Sequence, residues 1–194
     1  MKSVLIAIRP KWVEKICHKI GEDETGKAIY EKRIEVRKTA PKEVPFKCYI
    51  YETQGQYVKF THGAHTKYGY GRGKVIGEFI CDKVYSIKNR GSSFSVADEE
   101  QSVTNEIARQ SCLYYDDMVS YFGNKDGFGW HISDLKIYDK PRELSEFSRP
   151  CSYSGLCFSC KRTSFKKDGN LLCNTKITRP PQSWMYVEDL GEEE

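Results

Sequence analysis

No apolar run in this chain approaches the ~20 residues of a membrane-spanning helix, which excludes a helical membrane protein. The first apolar stretch, Val4 to Ile8, closes at Arg9-Pro10 and is too short for a secretory leader. No repeat of fixed period and no long linker is visible, which speaks against a solenoid or a string of domains. A phosphate loop is also missing. Tyr68-Gly-Tyr-Gly-Arg-Gly-Lys74 lacks the Walker spacing and precedes a strand instead of opening a helix. Net charge is only +4, too little by itself to identify a nucleic-acid partner. A cytoplasmic, single-domain protein without membrane contact is the expectation.

What is present is a chain of 194 residues, 39% hydrophobic and 30% charged, enough for one real core under an ordinary polar surface. Basic residues gather between Lys15 and Lys47, with Lys59, Lys67, Arg72 and Lys74 following, while the last residues are acidic. Eight cysteines without a secretory leader read as thiols and not as a disulfide framework. Cys17, Cys48, Cys81 and Cys112 are spread one per segment, as small buried apolar residues would be.

The apolar pattern suggests strands at 3–8, 28–39, 46–51, 74–87, 128–138 and 182–187. Short helices fit 11–19, 98–110 and 115–121. Residues 54–73 read as a long polar loop rich in Gly, Tyr and His, and Gly77 marks a bulge or bend inside its strand. About six strands with short helices point to an α+β domain with a strongly curved sheet.

Two clusters carry candidate chemistry. Within Arg33-Ile-Glu-Val-Arg-Lys38, residues two apart share one face of a strand, which sets Glu35 between Arg33 and Arg37. Two cations favour the ionised carboxylate, a good acceptor and a poor general base. Arginine adds planar donors suited to phosphate or base edges. Recognition of a nucleotide or RNA fits this pattern better than proton transfer, with Lys38, Tyr68 and Arg72 as further ligand contacts. A solvated ion-pair ladder is the plainer alternative. The second cluster is Cys151-x5-Cys157-x2-Cys160-x12-Cys173. Cys-x-x-Cys is the usual half-site of structural zinc, and the surrounding segment has little apolar content of its own. Disulfides or unpaired thiols are the other readings. His62 and His65 in the polar loop have a spacing compatible with metal, but exposed polar residues are the more ordinary reading.

The order of the pieces resembles the ASCH domain, a branch of the PUA-like superfold. The carriers are Leu5-Ile-Ala-Ile-Arg-Pro-Lys-Trp-Val-Glu-Lys-Ile16, then Lys32-Arg-Ile-Glu-Val-Arg-Lys38, which is similar to the family's Lys-x-x-Glu-x-Arg signature. Gly73-Lys-Val-Ile-Gly-Glu-Phe79, Gly129-Trp-His-Ile132, Leu135 to Pro141 and Arg179-Pro-Pro-Gln-Ser-Trp184 follow. The resemblance implies a single PUA-like domain over 1–194, a small mixed β-barrel with short flanking helices, and a cysteine-rich insertion at 149–178. It implies an RNA-binding or nucleotide-binding module of the type found in bacteria and their phages, with the signature strand lining a cleft. One branch hydrolyses acetylcytidine with a Lys, a Thr three residues later and a Glu. Lys32 matches the Lys, but Glu35 stands where that branch has Thr, which removes the hydroxyl. Asp116 or Asp117 would have to supply the partner carboxylate. A ribonuclease reading would draw on Lys32, Tyr68 and His131.

Overall fold

The computed structural model describes residues 2–59, 67–150, 163–165, 171–173 and 175–191. The chain runs β1 (Lys2–Ile8), α1 (Pro10–Cys17), β2 (Lys19–Glu22), β3 (Ala28–Tyr30), β4 (Ile34–Arg37), β5 (Phe46–Glu52), β6 (Gly55–Lys59) and β7 (Lys67–Gly71). It continues with β8 (Lys74–Cys81), β9 (Val84–Asn89), β10 (Phe94–Val96), α2 (Gln101–Ser111), α3 (Tyr115–Phe122), β11 (Gly127–His131) and β12 (Ser133–Arg142). Last come β13 (Thr163–Phe165), β14 (Leu171–Cys173) and β15 (Trp184–Val187). Among the described residues, no helix is long and apolar enough to cross a membrane.

Two main sheets form the fold. One has the order β12-β8-β5-β1-β15, the other β10-β9-β11-β4. Strands β1 and β5 pair in parallel, and their other partners are antiparallel. Both strands are apolar nearly throughout because both faces of the sheet are covered. Val4, Ile6, Ile8, Phe46, Cys48 and Ile50 enter one core cluster, whereas Leu5, Tyr49 and Tyr51 enter another on the opposite face. A third cluster lies under α2 and α3, where Ile34, Val36 and Ile87 meet Ile107, Met118 and Phe122.

The α+β class and the short helices agree with the sequence, but no closed barrel forms among the described residues. Three continuous strands expected from the sequence are each broken. Residues 74–87 divide at Asp82-Lys83 into β8 and β9, which belong to different sheets. Residues 128–138 divide at Ile132 into β11 and β12 in the same manner. The two corners lie side by side. The His131 backbone N–H donates to the Lys83 carbonyl at 2.9 Å, and His131 Nδ1 lies 2.6 Å from Asp82 Oδ1. Residues 28–39 also divide, β3 pairing with β2 and β4 with β11.

Gly77 stands beside a bulge, since Ile50 faces Gly77 but Tyr51 faces Val75. It pairs with both Ile50 and Ile137, and a Cβ there would lie 2.5 Å from the Lys136 carbonyl oxygen. Its missing side chain permits close approach of β12. The expected loop at 54–73 contains a hairpin, β6 with β7, while His62 and His65 lie outside the described residues. Gly71 lets this hairpin lie against the start of α1, since a Cβ there would run into the Thr53 carbonyl and the Pro10 ring.

The four scattered cysteines are free thiols, with Cys48 and Cys81 buried and Cys17 and Cys112 half-buried. Burial pushes the Cys81 thiol up to about 12 and the Cys17 thiol up to about 11. Cys151, Cys157 and Cys160 lie outside the described residues, and Cys173 is described only as the end of β14.

Candidate nucleotide-binding cleft

Strand β4 is buried along its whole length because both its faces are covered. Ile34 and Val36 point to α2 and α3, and the alternation turns Glu35 and Arg37 the other way. There they line a cleft of about 310 Å³ with Arg9, Lys11, Trp12 and Lys32 from the α1 side and Leu113, Asp117, Ser120 and Tyr121 from the α3 side.

Glu35 has two cationic neighbours, as expected, but one of them is different. Arg37 Nη1 lies 2.6 Å from Oε1, and Lys32 Nζ lies 3.4 Å from Oε2. Arg33 instead faces Glu106 of α2 at 3.6 Å. The reason is that Arg33 precedes the strand, its backbone N–H donating to the Gln110 carbonyl at 2.9 Å. Strand alternation therefore does not hold at residue 33. Oε2 of Glu35 is buried and makes no hydrogen bond.

Lys32 is 2% exposed. Its Nζ donates to the Ile34 carbonyl at 2.7 Å and the Ser111 carbonyl at 2.6 Å. Burial lowers its pKa, and the Glu35 charge opposes that shift. With two carbonyls and a carboxylate around it, the ammonium joins β4 to the end of α2. That arrangement holds a cation at the cleft and is not that of a free nucleophile.

Arg37 is also heavily engaged. Nη2 donates to the Ala7 carbonyl of β1 at 2.8 Å and Nη1 to the Val36 carbonyl at 3.1 Å. Its Nε is buried without a partner. Arg37 therefore couples the two sheets and fixes the Glu35 carboxylate. Lys38 is exposed, with its Nζ 5.3 Å from the centre of the Tyr121 ring at the rim.

Tyr68 and Arg72 do not line this cleft. Tyr68 is on β7 and 57% exposed, and Arg72 Nε lies 3.7 Å from Glu52. Of Lys32, Tyr68 and His131, only Lys32 lines the cleft. Asp117 reaches it and Asp116 is not among its lining residues. No group of three or more His, Cys, Asp or Glu suited to a metal occurs among the described residues.

Sequence reasoning missed Arg9, Lys11, Trp12, Ser120 and Tyr121 as cleft residues. The signals were there in part. Arg9 and Lys11 flank the proline that starts α1, and Asp117, Ser120 and Tyr121 recur at three and four residues on one face of α3.

The ASCH protein of Zymomonas mobilis aligns with 96% of this chain and 88% of its own, at 14% identity and a TM-score of 0.51. The fold is that of an ASCH domain. A serine-to-alanine mutant of the same Zymomonas mobilis protein aligns over 96% of this chain and 89% of its own, again at 14% identity and 0.51. No protein-family model and no curated protein sequence matches the chain. The ASCH likeness thus rests on three-dimensional arrangement.

Proposed function

We propose that the cleft binds a nucleotide, either free or as a unit of RNA, and that Glu35 reads a hydrogen-bond donor on its base. The observation that carries this reading is the buried Glu35 carboxylate on the cleft wall, whose Oε2 makes no hydrogen bond and faces the Lys32 ammonium at 3.4 Å. A buried carboxylate oxygen without a hydrogen bond is costly, the Lys32 charge offsets part of that cost, and a ligand N–H offsets more of it. The surroundings suit the rest of a nucleotide. Trp12 and Tyr121 offer ring faces for stacking, while Arg9 and Lys11 offer cations to phosphate. The volume falls at the lower end of small-ligand pockets, about 300–1,000 Å³. ASCH-fold proteins are in general RNA-binding modules of PUA-like type, which supports the same reading.

The base edge follows from the acceptor. A carboxylate oxygen that lacks a hydrogen bond accepts from an exocyclic amino group, as in cytosine or adenine, and repels the carbonyl oxygen that uracil places there. Calorimetric titration with cytidine, adenosine and uridine 5′-monophosphates at low salt tests the proposal. A charged hydrogen bond is worth about 1.5–3 kcal/mol, so the amino-bearing bases bind at least about tenfold tighter than uridine. Equal affinity for all three defeats the base-reading role of Glu35. No binding of any nucleotide or short RNA defeats the reading altogether.

The cysteine-rich segment is proposed, on its sequence alone, to hold a structural zinc ion through Cys151, Cys157, Cys160 and Cys173.

A further inference from the structure

Arg9 and Lys11 belong to two concavities at once. On one side they line the cleft with Glu35. On the other they line a second hollow of about 570 Å³, together with Pro10 and residues 53–58 at the start of the β6–β7 hairpin. The two cations thus form the wall common to both spaces. Both side chains are exposed, and neither makes an ion pair among the described residues. Lys11 Nζ sits 4.3 Å from the centre of the Trp12 ring, which places that positive charge beside an aromatic face of the cleft.

The chemistry on the two sides differs. The cleft contains the buried Glu35 carboxylate, whose Oε2 makes no hydrogen bond and faces the Lys32 ammonium at 3.4 Å. The hollow is lined by neutral polar groups, Thr53, Gln54 and Gln56, and by the Tyr57 ring. Two neutral-ligand spaces separated by a pair of cations match the repeat of a nucleic-acid strand, in which one anionic phosphodiester joins two neutral nucleosides. A free mononucleotide has no group for the second space.

We infer that the ligand is a single-stranded oligonucleotide of at least two units, its base in the Glu35 cleft, its phosphodiester on Arg9 and Lys11, and the adjoining nucleoside in the hollow beside β6. This rests on the nucleotide reading of the cleft and extends it from a mononucleotide to a strand. Side-chain amides and a tyrosine ring tolerate any base, so the hollow adds affinity without adding sequence preference.

The test compares cytidine 5′-monophosphate with the 5′-phosphorylated cytidine dinucleotide on the full chain. The same titrations are repeated on Gln56→Glu, which puts a negative charge in the hollow on an exposed position of β6. The dinucleotide is expected to bind at least tenfold tighter than the mononucleotide. Gln56→Glu is expected to remove most of that gain and to leave mononucleotide affinity within twofold. Equal affinity of the two ligands overturns the inference and leaves the single-nucleotide cleft standing. So does a Gln56→Glu loss that is the same for both ligands. Failure of both ligands to bind overturns the cleft reading and the inference together.

Discussion

Arg37 Nη1 lies 2.6 Å from Oε1 of Glu35, while the other oxygen of that carboxylate has no hydrogen bond. The arginine holds one oxygen, and the Lys32 ammonium faces the second at 3.4 Å. Because Arg37 also donates to Ala7 in β1, the carboxylate is fixed relative to both sheets. The signature strand is therefore a support for one acceptor, and most of its charge is spent inside the protein.

Removing that carboxylate separates structure from recognition. Glu35→Ala leaves Lys32 and Arg37 buried without their counter-ion, which costs on the order of 3–5 kcal/mol. Glu35→Gln keeps the shape and one carbonyl acceptor, so it loses less stability. Its amide end makes donor-reading ambiguous, and the preference for amino-bearing bases collapses. Urea unfolding of both variants, with nucleotide titration of Glu35→Gln, checks the two halves. Equal stability of Glu35→Ala and the parent is the result that defeats the ion-pair account.

Positive charge near the signature does not act uniformly. Arg33 faces Glu106, and Arg109 and Gln110 hold the same carboxylate well below its usual range, at about 2. Arg33→Ala is expected to leave RNA affinity and its salt dependence nearly unchanged. Arg9→Ala and Lys11→Ala, at the mouth of the cleft, are each expected to weaken binding and to lower the salt slope by up to about one phosphate contact. Titrations of a short RNA between low and moderate salt distinguish them. A loss in Arg33→Ala as large as in Arg9→Ala contradicts the placement of Arg33 outside the site.

The strand itself was readable from alternation, and so was the pairing of Glu35 with Arg37. The partner on the other side was not. Assigning Arg33 assumes that extended geometry begins before residue 34, and only the bond from the Arg33 backbone to Gln110 shows that it does not. The two sheet corners were illegible for a related reason. Residues 74–87 keep strand-like composition through Asp82-Lys83, and leaving one sheet for another needs partners remote in sequence. The cleft's second wall is missing from the signature because α3 supplies it from some eighty residues downstream. The core strands β1 and β5 were legible because burial on both faces leaves an apolar run with no alternative placement.

Zinc in the cysteine-rich segment has a direct measure. Protein purified without chelator is expected to carry about one zinc ion per chain by mass spectrometry, and Cys157→Ser with Cys160→Ser to carry almost none. Four thiolates, two of them at Cys-x-x-Cys spacing, bind zinc tightly and release protons as they do so. A metal-free parent in which Cys151, Cys157, Cys160 and Cys173 all react with a thiol reagent without unfolding contradicts the site.

Alkaline pH reaches the core through the thiols. Cys48 and Cys81 are buried, and burial raises both above the ordinary value of 9.0, Cys81 to about 12. Cys17 follows to about 11. Tyr49 and Tyr138 are raised in the same direction by burial and by their bonds to Asp189 and Glu78. In the unfolded chain these groups lose their protons near their ordinary values, whereas the folded protein keeps them. The unfolded state therefore binds fewer protons, and stability falls as pH rises. The contribution is complete below pH 9 and is lost from there through about pH 12, at up to about 1.4 kcal/mol per pH unit for each such group inside its window. Lys32 works with the opposite sign, since burial lowers it, but it is a single group against several. Urea midpoints in reducing buffer are expected to be level between pH 7 and 8.5 and to drop steeply by pH 10.5. Cys81→Ala removes one of the groups and makes the drop shallower. A midpoint that stays level to pH 10.5 contradicts the burial of these thiols.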